Sequence, residues 1–431
     1  MRPPAQLPQS CPLAHRLLAH ALYDTMSPIP EIVQSFDPRR LDDAYYANPF
    51  VAYAALREHA PVYRCPDGSY FLTSHAHLST VYRDAHGFSS DKRRQFGPAF
   101  GEDSALFEHH TTSLVFSDPP LHTHVRKAIG NVLSARTVTA MEPGLRELVE
   151  QLLHRIGALG RFDLVEHYAA AIPIEIIGNL LRIPQGERGP LRRWSLSILG
   201  ALEFGLKPDA RSAGNQAVLE MLDFLDALVR QRRDSLGDAD DDLLARLLRW
   251  ESEGFRLAGN TLYHQCIFLL NAGHETTSNL IGNAVQLLLD HPDQRERLLA
   301  DPSLIGSAVE EVLRMESPNQ LGNRTVAQDT SIGDTDLPAG TILTLCIGAA
   351  NRDPAVFPNP DHFDIGRHPN PHLAFGAGIH TCAGLNVARL EAQLAIQALF
   401  QRFPDLRSDG EPRRARRARF RGFESIPLAI R

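Results

Sequence analysis

Apolar residues recur at i, i+3 and i+4 spacing over much of the chain, the pattern of amphipathic and buried helices. The stretches with this spacing are 145–156, 164–181, 217–232, 255–289, 302–315 and 384–403. Alternating or β-branched runs of strand length are few and short, namely 62–72, 341–347 and 424–430. The pattern therefore predicts a mainly α fold with minor β sheets.

The organisation along the chain is simple. Residues 1–36 are rich in proline and lack apolar periodicity, which predicts a loosely held N-terminal extension. Residues 37–431 contain no Gly/Ser linker, no internal repeat and no low-complexity block. We therefore expect one large domain over 37–431.

Composition narrows the class of protein. With 431 residues, 43% of them hydrophobic, the chain is long enough to bury a sizeable core, and its net charge of -7 disfavours nucleic-acid partners. The five cysteines are scattered and odd in number, without a CxxC pair, as in a reducing cytoplasm. No apolar run approaches the about 20 residues of a membrane span. We expect a soluble, cytoplasmic protein with no nucleic-acid partner and no membrane span.

Cys382 lies in a glycine-rich turn directly before a long predicted helix. Main-chain N–H groups freed by the turn and the positive end of the helix dipole favour a thiolate and a lowered pKa. Gly376 and Gly378 allow the main chain to bend and to approach a flat ligand closely. Cys266 and Cys346 lie in apolar runs and are interpreted as small buried hydrophobic residues.

Ala272, Gly273 and Thr276 share one face of the longest predicted helix, about one turn apart. Small residues there allow a planar cofactor to approach, and Thr276 can donate to the carbonyl of Ala272 and leave room for a ligand. The same pattern also fits a Ser/Thr-rich face that merely packs. His274 lies off this face and is expected to be structural or exposed.

His122 and Arg126 lie at i, i+4 on a helix that begins at prolines, so both can reach one carboxylate. His124, with His109 and His110 nearby, leaves a zinc site as the alternative. No Asp, Glu or Cys completes such a site at ligand spacing, which disfavours zinc.

The run from Phe375 to Gly384, Phe-Gly-x-Gly-x-His-x-Cys-x-Gly, resembles the haem-binding loop of the cytochrome P450 superfamily at every defining position. In that family a cysteine thiolate is the proximal ligand of the haem iron. The resemblance makes Cys382 the axial iron ligand and His380 a partner of a haem propionate. It is closest to the soluble bacterial, ferredoxin-dependent type and covers residues 37–431.

Residues 271–278 match the oxygen-activating helix of the same family. The resemblance implies that Ala272 and Gly273 lie against the haem. It also implies that Glu275 and Thr276 relay protons to dioxygen.

The resemblance implies that further charged groups hold the haem and the cysteine loop in position. The propionate-binding side chains that it implies are His122, Arg126 and Arg324. Glu311 and Arg314, at i, i+3, would by themselves indicate only a solvated ion pair. Their place in the family's order makes them, with Arg367, a buried triad that holds the cysteine loop.

The implied activity is an O2-dependent monooxygenase with haem b, which inserts one oxygen atom into a small, mostly apolar organic substrate. Because no flavin or iron–sulfur segment is recognised, the expected electron donors are a ferredoxin and an NAD(P)H-dependent ferredoxin reductase. A peroxide-using haem-thiolate oxygenase and a non-catalytic haem-based sensor are the alternatives. Neither of them requires the proton relay.

By family analogy, we expect five segments to line the substrate pocket, namely 88–115, 196–206, 268–272, 319–323 and the turn around Phe423. These segments mix apolar and polar groups, such as Phe204, Phe268, Asn319 and Gln320. The mixture favours a hydrophobic molecule with one or two polar anchors.

Two basic runs are expected to be solvated surface, namely the arginine-rich stretch 413–421 and the Lys-Arg-Arg run at 92–94. The electron-transfer face is expected near His380 and Arg389, where basic groups can attract an acidic carrier.

Overall fold

A computed structural model of the chain describes residues 29–237, 242–252 and 260–430. Helices dominate the described residues, and the predicted mainly α fold with minor β sheets is confirmed. The helices are α1 (Glu31–Gln34), α2 (Asp43–Ala47), α3 (Phe50–His59), α4 (His75–Arg83), α5 (Arg93–Phe100), α6 (Ala105–Thr112), α7 (Leu121–Val132), α8 (Ala135–Leu159), α9 (Ala171–Leu180), α10 (Leu191–Gly200), α11 (Pro208–Asp234), α12 (Leu243–Ser252), α13 (Thr261–Asp290), α14 (Pro292–Ala300), α15 (Ile305–Met315), α16 (Ile347–Ala350) and α17 (Leu385–Arg402).

Among the described residues, short strands form four small sheets. The strands are β1 (Val62–Arg64), β2 (Tyr70–Leu72), β3 (Phe88–Ser89), β4 (Arg161–Asp163), β5 (Leu321–Val326), β6 (Thr330–Ile332), β7 (Thr335–Leu337), β8 (Ile342–Cys346), β9 (Arg407–Ser408), β10 (Arg413–Arg414), β11 (Phe423–Ser425) and β12 (Pro427–Ala429). The largest sheet has five strands in the order β1-β2-β8-β5-β3. In it β5 and β8 pair antiparallel, with Arg324 opposite Leu343.

The long helix α13 passes through both large hydrophobic clusters. Its first half, including Ile267 and Leu270, packs in the cluster built with α10 and α11. Its second half, including Leu280 and Ile281, packs in the cluster built with α8, α15 and α17. The motif at residues 271–278 lies between the two clusters, where the helix is free to border a cavity.

Several predicted elements are divided in the structure, among them the strand 424–430, which forms β11 and β12 in two different sheets. The predicted strand 62–72 is a hairpin of β1 and β2, because the turn signal Pro66-Asp67-Gly68 interrupts it and Gly68 has φ 85. The predicted helix 164–181 begins with a π-helical turn, in which Ala170 N–H bonds to the carbonyl of Val165, and continues as α9.

The ends of the chain are described in part. Residues 1–28 lie outside the described residues, so the predicted extension over 1–36 and the single domain over 37–431 stay predictions. Residues 255–259 of the predicted helix 255–289 also lie outside them. Val33 and Phe36 are buried in a cluster with Tyr45 and Tyr53.

The carboxylate of Glu311 in α15 is fully buried and is held by two guanidinium groups. Arg314 donates Nε and Nη2 to its two oxygens at 2.8 Å each, and Arg367 Nε donates to Oε1 at 3.1 Å. Arg314 also donates to the carbonyls of Asn351 and Pro360, at 3.0 and 2.6 Å. The predicted triad is confirmed, and it ties α15 to the irregular segment that leads into the cysteine loop.

Breaking the triad should be costly. We expect Arg314→Ala to lower the free energy of unfolding by roughly 3–5 kcal/mol, because it leaves a buried carboxylate with one cation instead of two. Urea unfolding of the purified protein measures this. Arg146→Ala is the control, since Arg146 pairs with Glu142 on the exposed side of α8, where a pair contributes at most about 1 kcal/mol. Equal losses in both variants would contradict the structural role of the triad.

Glu391 in α17 is a buried carboxyl that pairs with no cation in the part of the chain that the structure describes. Its side chain is 3% exposed, and its Oε2 has no hydrogen-bond partner among the described residues. Burial alone raises the pKa of Glu391 to about 8 from a usual value of 4.5. The carboxyl is therefore protonated in the folded protein at neutral pH.

The raised pKa of Glu391 predicts a pH-dependent stability. The protonated carboxyl of Glu391 contributes fully to the free energy of unfolding below pH 4.5. This contribution is lost as the pH rises to about 8, where the buried carboxyl must ionise in the folded protein. At about 1.4 kcal/mol per pKa unit, Glu391→Gln should gain roughly 3–5 kcal/mol over the wild type across that range. Urea unfolding at pH 5 and pH 8.5 measures the difference. Glu58→Gln, at an exposed carboxyl, should show none; a pH-independent effect of Glu391→Gln would contradict the raised pKa.

Candidate functional site

A cavity of about 360 Å³ lies beside the middle of α13 and the N-terminal end of α17. The predicted site residues that line it are His122, Arg126, Ala272, Gly273, Thr276, Arg324, Phe375, His380, Cys382 and Gly384. Glu275 is not among the lining residues. The structure thus brings ten of these side chains or backbones to one cavity, while their individual roles stay predictions.

The loop that carries Cys382 is closed by its own main chain. The N–H of Cys382 donates to the carbonyl of Phe375 at 2.9 Å. Gly376 and Gly378 have φ of 65 and 70, and a Cβ on Gly378 would collide with the main chain of Tyr82. Glycine is therefore required at Gly378 both for conformation and for space.

The pKa of Cys382 differs from the sequence expectation. Burial raises the pKa of the thiol, against the lowering effects of the Gly384 N–H, Arg126 and Arg389. The expected lowering of its pKa is therefore wrong for the protein alone, because desolvation of the sulfur outweighs the nearby dipoles and cations. A positive metal ion on the sulfur would reverse this balance.

Basic side chains converge at one end of the cavity. The rings of His122 and His380 lie 4.2 Å apart, and Ser90 Oγ lies 3.0 Å from His380 Nε2. Burial, followed by the charges of Arg324, His122 and Arg126, lowers the pKa of His380 to about 3. This mutual repulsion fits a site for an anion, which would stabilise the basic groups together.

Lys92 is also buried near this end of the cavity, with 1% of its surface exposed. Its Nζ donates to Thr325 Oγ1 at 3.4 Å, and burial, then Arg324 and Arg419, lowers its pKa to about 7. The expectation that the basic run at 92–94 is solvated is wrong for Lys92. The reason is tertiary, because the neighbouring strand β3 pairs with β5 and carries Lys92 inward.

The cavity wall formed by the middle of α13 follows the sequence prediction closely. Thr276 Oγ1 donates to the carbonyl of Ala272 at 2.7 Å, as expected. Ala272 and Gly273 give this wall a small-residue surface. His274 is buried, with its pKa lowered to about 3 by burial first and Arg192 second, so it is not an exposed group.

Glu275 is held outside the cavity by Arg417. Arg417 Nη1 donates to Glu275 Oε1, and its Nη2 donates to the carbonyl of Leu196 at 3.1 Å. Burial raises the pKa of Glu275 to about 7, and the charge of Arg417 opposes that rise. The structure therefore does not bring Glu275 and Thr276 to the same cavity wall, and their joint relay stays a prediction.

The arginine-rich stretch 413–421 is not a solvated run, which corrects the sequence expectation. Arg413 and Arg416 are exposed, but Arg421 Nε donates to the buried Glu316 Oε2 at 2.6 Å. Arg419 is directed inward and donates to two main-chain carbonyls. Along this segment the side chains alternate between solvent and the two buried carboxylates of Glu275 and Glu316, a pattern that composition does not reveal.

The rest of the cavity lining is largely apolar. The predicted segments contribute His109, His110, Leu114, Leu199, Leu202, Phe268, Asn271, Asn319 and Asn323. Phe423 was expected there, but Phe420 and Arg419 take its place, and Phe423 lies in the core under Arg414. Phe204 and Gln320 also lie away from the cavity wall.

Two histidines form a polar part of this wall. Burial, with the charge of His264 and other neighbours, lowers the pKa of His109 well below its usual value and that of His110 to about 3. Both rings are therefore neutral, and His109 Nδ1 and His110 Nε2 have no hydrogen-bond partner among the described residues. Sequence reasoning placed them in the pocket segment but did not predict their charge state.

A metal site built from side-chain clusters finds no support. Within residues 29–237, 242–252 and 260–430, no group of three or more His, Cys, Asp or Glu side chains is arranged to hold a metal ion. Among the described helices, none has both the length and the apolar character needed to cross a membrane. A lone thiol that lines the same cavity as small residues and a group of basic side chains instead fits a planar iron cofactor with carboxylates.

Comparison with known proteins agrees with this geometry. Residues 202–414 match the family model Cytochrome P450. The chain is 34% identical over 391 residues to the biotin biosynthesis cytochrome P450 of Bacillus subtilis, covering 90% of this chain and 97% of that protein. It is 36% identical over 380 residues to the 6-deoxyerythronolide B hydroxylase of Saccharopolyspora erythraea, covering 84% and 91%.

The solved structures agree. Epothilone D-bound cytochrome P450epoK superposes with a TM-score of 0.85 at 31% identity, over 92% of this chain and 99% of that one. Relatives of this similarity are named monooxygenases and hydroxylases, which favours neither the peroxide-using nor the sensor alternative. The chain belongs to the cytochrome P450 family and is a haem-dependent monooxygenase.

Proposed function

We propose that the Cys382 thiolate binds the iron of haem b and that the enzyme oxidises a small, mostly apolar molecule. The observation that carries the proposal is that Cys382, Ala272 and Gly273 line one cavity with basic groups at its end. When bound, the haem activates dioxygen: one atom enters the substrate, and two electrons and two protons reduce the other to water. A thiolate is the ligand that favours cleavage of the O–O bond, because it donates electron density to the iron.

The residues of the chain have separate tasks in this proposal. The Cys382 thiol would release its proton to solvent when its sulfur binds the iron, since coordination would compensate for the buried negative charge. His122, Arg126, Arg324 and His380 pair with the two propionates, which offset the repulsion among these groups. Phe375 and Gly384 border the cysteine, while Ala272 and Gly273 leave space on the other side.

Thr276 is proposed to hold the water that delivers protons. Its hydroxyl donates to Ala272, so its oxygen can accept a hydrogen bond from a water molecule in the cavity. Glu275, with a pKa of about 7, gains and loses a proton near neutral pH. We propose that Glu275 breaks its contact with Arg417 and turns towards the cavity. It then supplies new protons to the water molecule held by Thr276.

The substrate is proposed to be a neutral, largely apolar molecule with a few hydroxyl or carbonyl groups. Support comes from the apolar lining and from the neutral imidazoles of His109 and His110, which recognise neutral polar groups better than carboxylates. Relatives include a 6-deoxyerythronolide B hydroxylase and a protein bound to epothilone D.

The electron donors are proposed to be a ferredoxin and its NAD(P)H-dependent reductase. This part rests on the resemblance to bacterial relatives that match this chain over most of their length. Substrate, dioxygen and separate electron carriers are then the partners of the enzyme.

The iron ligand is tested by spectroscopy. We expect the ferrous, CO-bound protein to absorb at about 450 nm, because a thiolate ligand would shift the haem band to the red. Cys382→Ala should lose this band and most of the haem. Cys266→Ala and Cys346→Ala, at fully buried thiols elsewhere in the core, should keep both. A wild-type band at about 420 nm, or the same behaviour in all three variants, would overturn the assignment of Cys382.

The role of Thr276 is tested by coupling. With Thr276→Ala, NAD(P)H should still be consumed through the carriers. Hydrogen peroxide should replace most of the product, because the water that supplies the second of the two protons is no longer held at the right position. NAD(P)H, peroxide and product are measured with any substrate that shifts the haem band. Ser278→Ala is the control, because this buried hydroxyl on the same helix does not line the cavity. Unchanged coupling in Thr276→Ala would contradict the relay.

A further inference from the structure

Glu310, the residue before the triad carboxylate, makes a second set of contacts on the cysteine side of α15. Arg389 donates Nε to its Oε1 and Nη2 to its Oε2, both at 2.7 Å. His372 Nε2 lies 3.1 Å from Oε2. Because His372 Nδ1 accepts the N–H of Ala374 at 3.3 Å, its Nε2 carries the proton and donates to Glu310. The carboxylate is therefore satisfied from two sides, and these contacts hold the pKa of Glu310 at about 2 against burial.

This ion pair is directed at the cysteine loop. The guanidinium of Arg389 lies over the ring of Phe375, 5.0 Å from its centroid, and the ring of His372 is 5.9 Å from the same ring. Phe375 accepts the main-chain N–H of Cys382. The positive charge of Arg389 is close enough to the sulfur of Cys382 to affect it electrostatically. A cation and its counter-ion therefore lie beside the proposed iron ligand.

The contribution of this pair to folding does not explain why it lies beside the cysteine loop. The side chains of Arg389 and Glu310 are 34% and 25% exposed, and partly exposed pairs contribute little to folding. Charges beside a buried sulfur act through a medium of low polarity, where their effect is larger than at the surface. The contacts therefore also fix the position of the Arg389 charge.

We propose that Glu310 is a positioning residue that neutralises Arg389 and holds it on Phe375, and thereby sets the electrostatic potential at the Cys382 thiolate and the reduction potential of the haem. The proposal rests on the proposed ligation by Cys382. Glu310 keeps the reduction potential low, because an uncompensated Arg389 would stabilise the additional electron. The pair is also neutral as a unit, so Arg389 contributes little net charge to an electron-carrier surface.

Spectroelectrochemical titration of the haem-loaded, substrate-free protein at one pH tests the proposal. Glu310→Gln should shift the one-electron reduction equilibrium at least threefold towards the ferrous form, which is about 28 mV at about 59 mV per tenfold. Arg389→Gln should shift it at least threefold the other way. The double variant should return close to the wild-type value, because both charges are removed.

The controls separate this proposal from a structural effect and from the ligand assignment. Glu220→Gln removes a comparable carboxylate, one that pairs with Arg193 between α10 and α11, and should not shift the equilibrium. All variants should keep the CO band at about 450 nm. Absence of that band in the wild type would refute the ligation by Cys382 instead of the role of Glu310.

Shifts of the same sign in Glu310→Gln and Arg389→Gln, or a shift no larger than in Glu220→Gln, would overturn the proposal. If Glu310→Gln does not load haem, Arg389→Gln and Arg389→Lys decide the matter. A shift towards the ferric form in Arg389→Gln with none in Arg389→Lys supports the role of the charge. Equal shifts in these two variants overturn it.

Discussion

The carboxylate of Glu311, buried without contact to solvent and shared by Arg314 and Arg367, connects the helical core to the segment that precedes the cysteine loop. Two cations and one anion in the interior cost desolvation energy, and only the complete set of hydrogen bonds compensates for it. Arg314 therefore also binds main-chain carbonyls of that segment, which fixes its path. The position of Cys382 depends on this path, because between α16 and α17 the described chain is irregular apart from the 3-10 turn Gly378–His380.

Consecutive carboxylates of α15 then hold the same loop from different directions. Glu311 points into the core, while Glu310 reaches Arg389 of α17 and His372 at the start of the loop. The first contact is buried and structural. The second is partly exposed and lies beside Phe375, where a fixed charge acts on the sulfur through a medium of low polarity. One helix thus supplies both the mechanical support of the proposed iron ligand and its electrostatic surroundings.

The sequence predicted the parts of the site that are local in the chain. The loop from Phe375 to Gly384 and the face shared by Ala272 and Thr276 depend on spacing within one turn or one helix, so the residue pattern was sufficient. The partners of charged groups were not predictable in this way. Glu310 and Arg389 are 79 residues apart, and Glu275 meets Arg417 across 142 residues. Irregular segments carry no periodicity that tells which side chain points inward.

The pKa values also depend on contacts between distant parts of the chain, so the sequence pattern alone does not predict them. A turn and a helix dipole lower the pKa of a thiol, and both are visible in the sequence, but the burial that raises the pKa of Cys382 depends on the packed structure. Burial likewise lowers the pKa of Lys92 and raises the pKa of Glu391, although neither residue belongs to a recognisable motif. Folded environment, more than residue type, decides the charge of the groups around this cavity.

The central claim is that the supported loop presents the sulfur of Cys382 to the haem iron. X-ray absorption at the iron edge of the purified protein tests it most directly, because it reports which elements bind the metal. The account predicts one sulfur among the iron ligands of the wild type and none in Cys382→Ser. Only nitrogen or oxygen ligands in the wild type, or sulfur retained in Cys382→Ser, would contradict it.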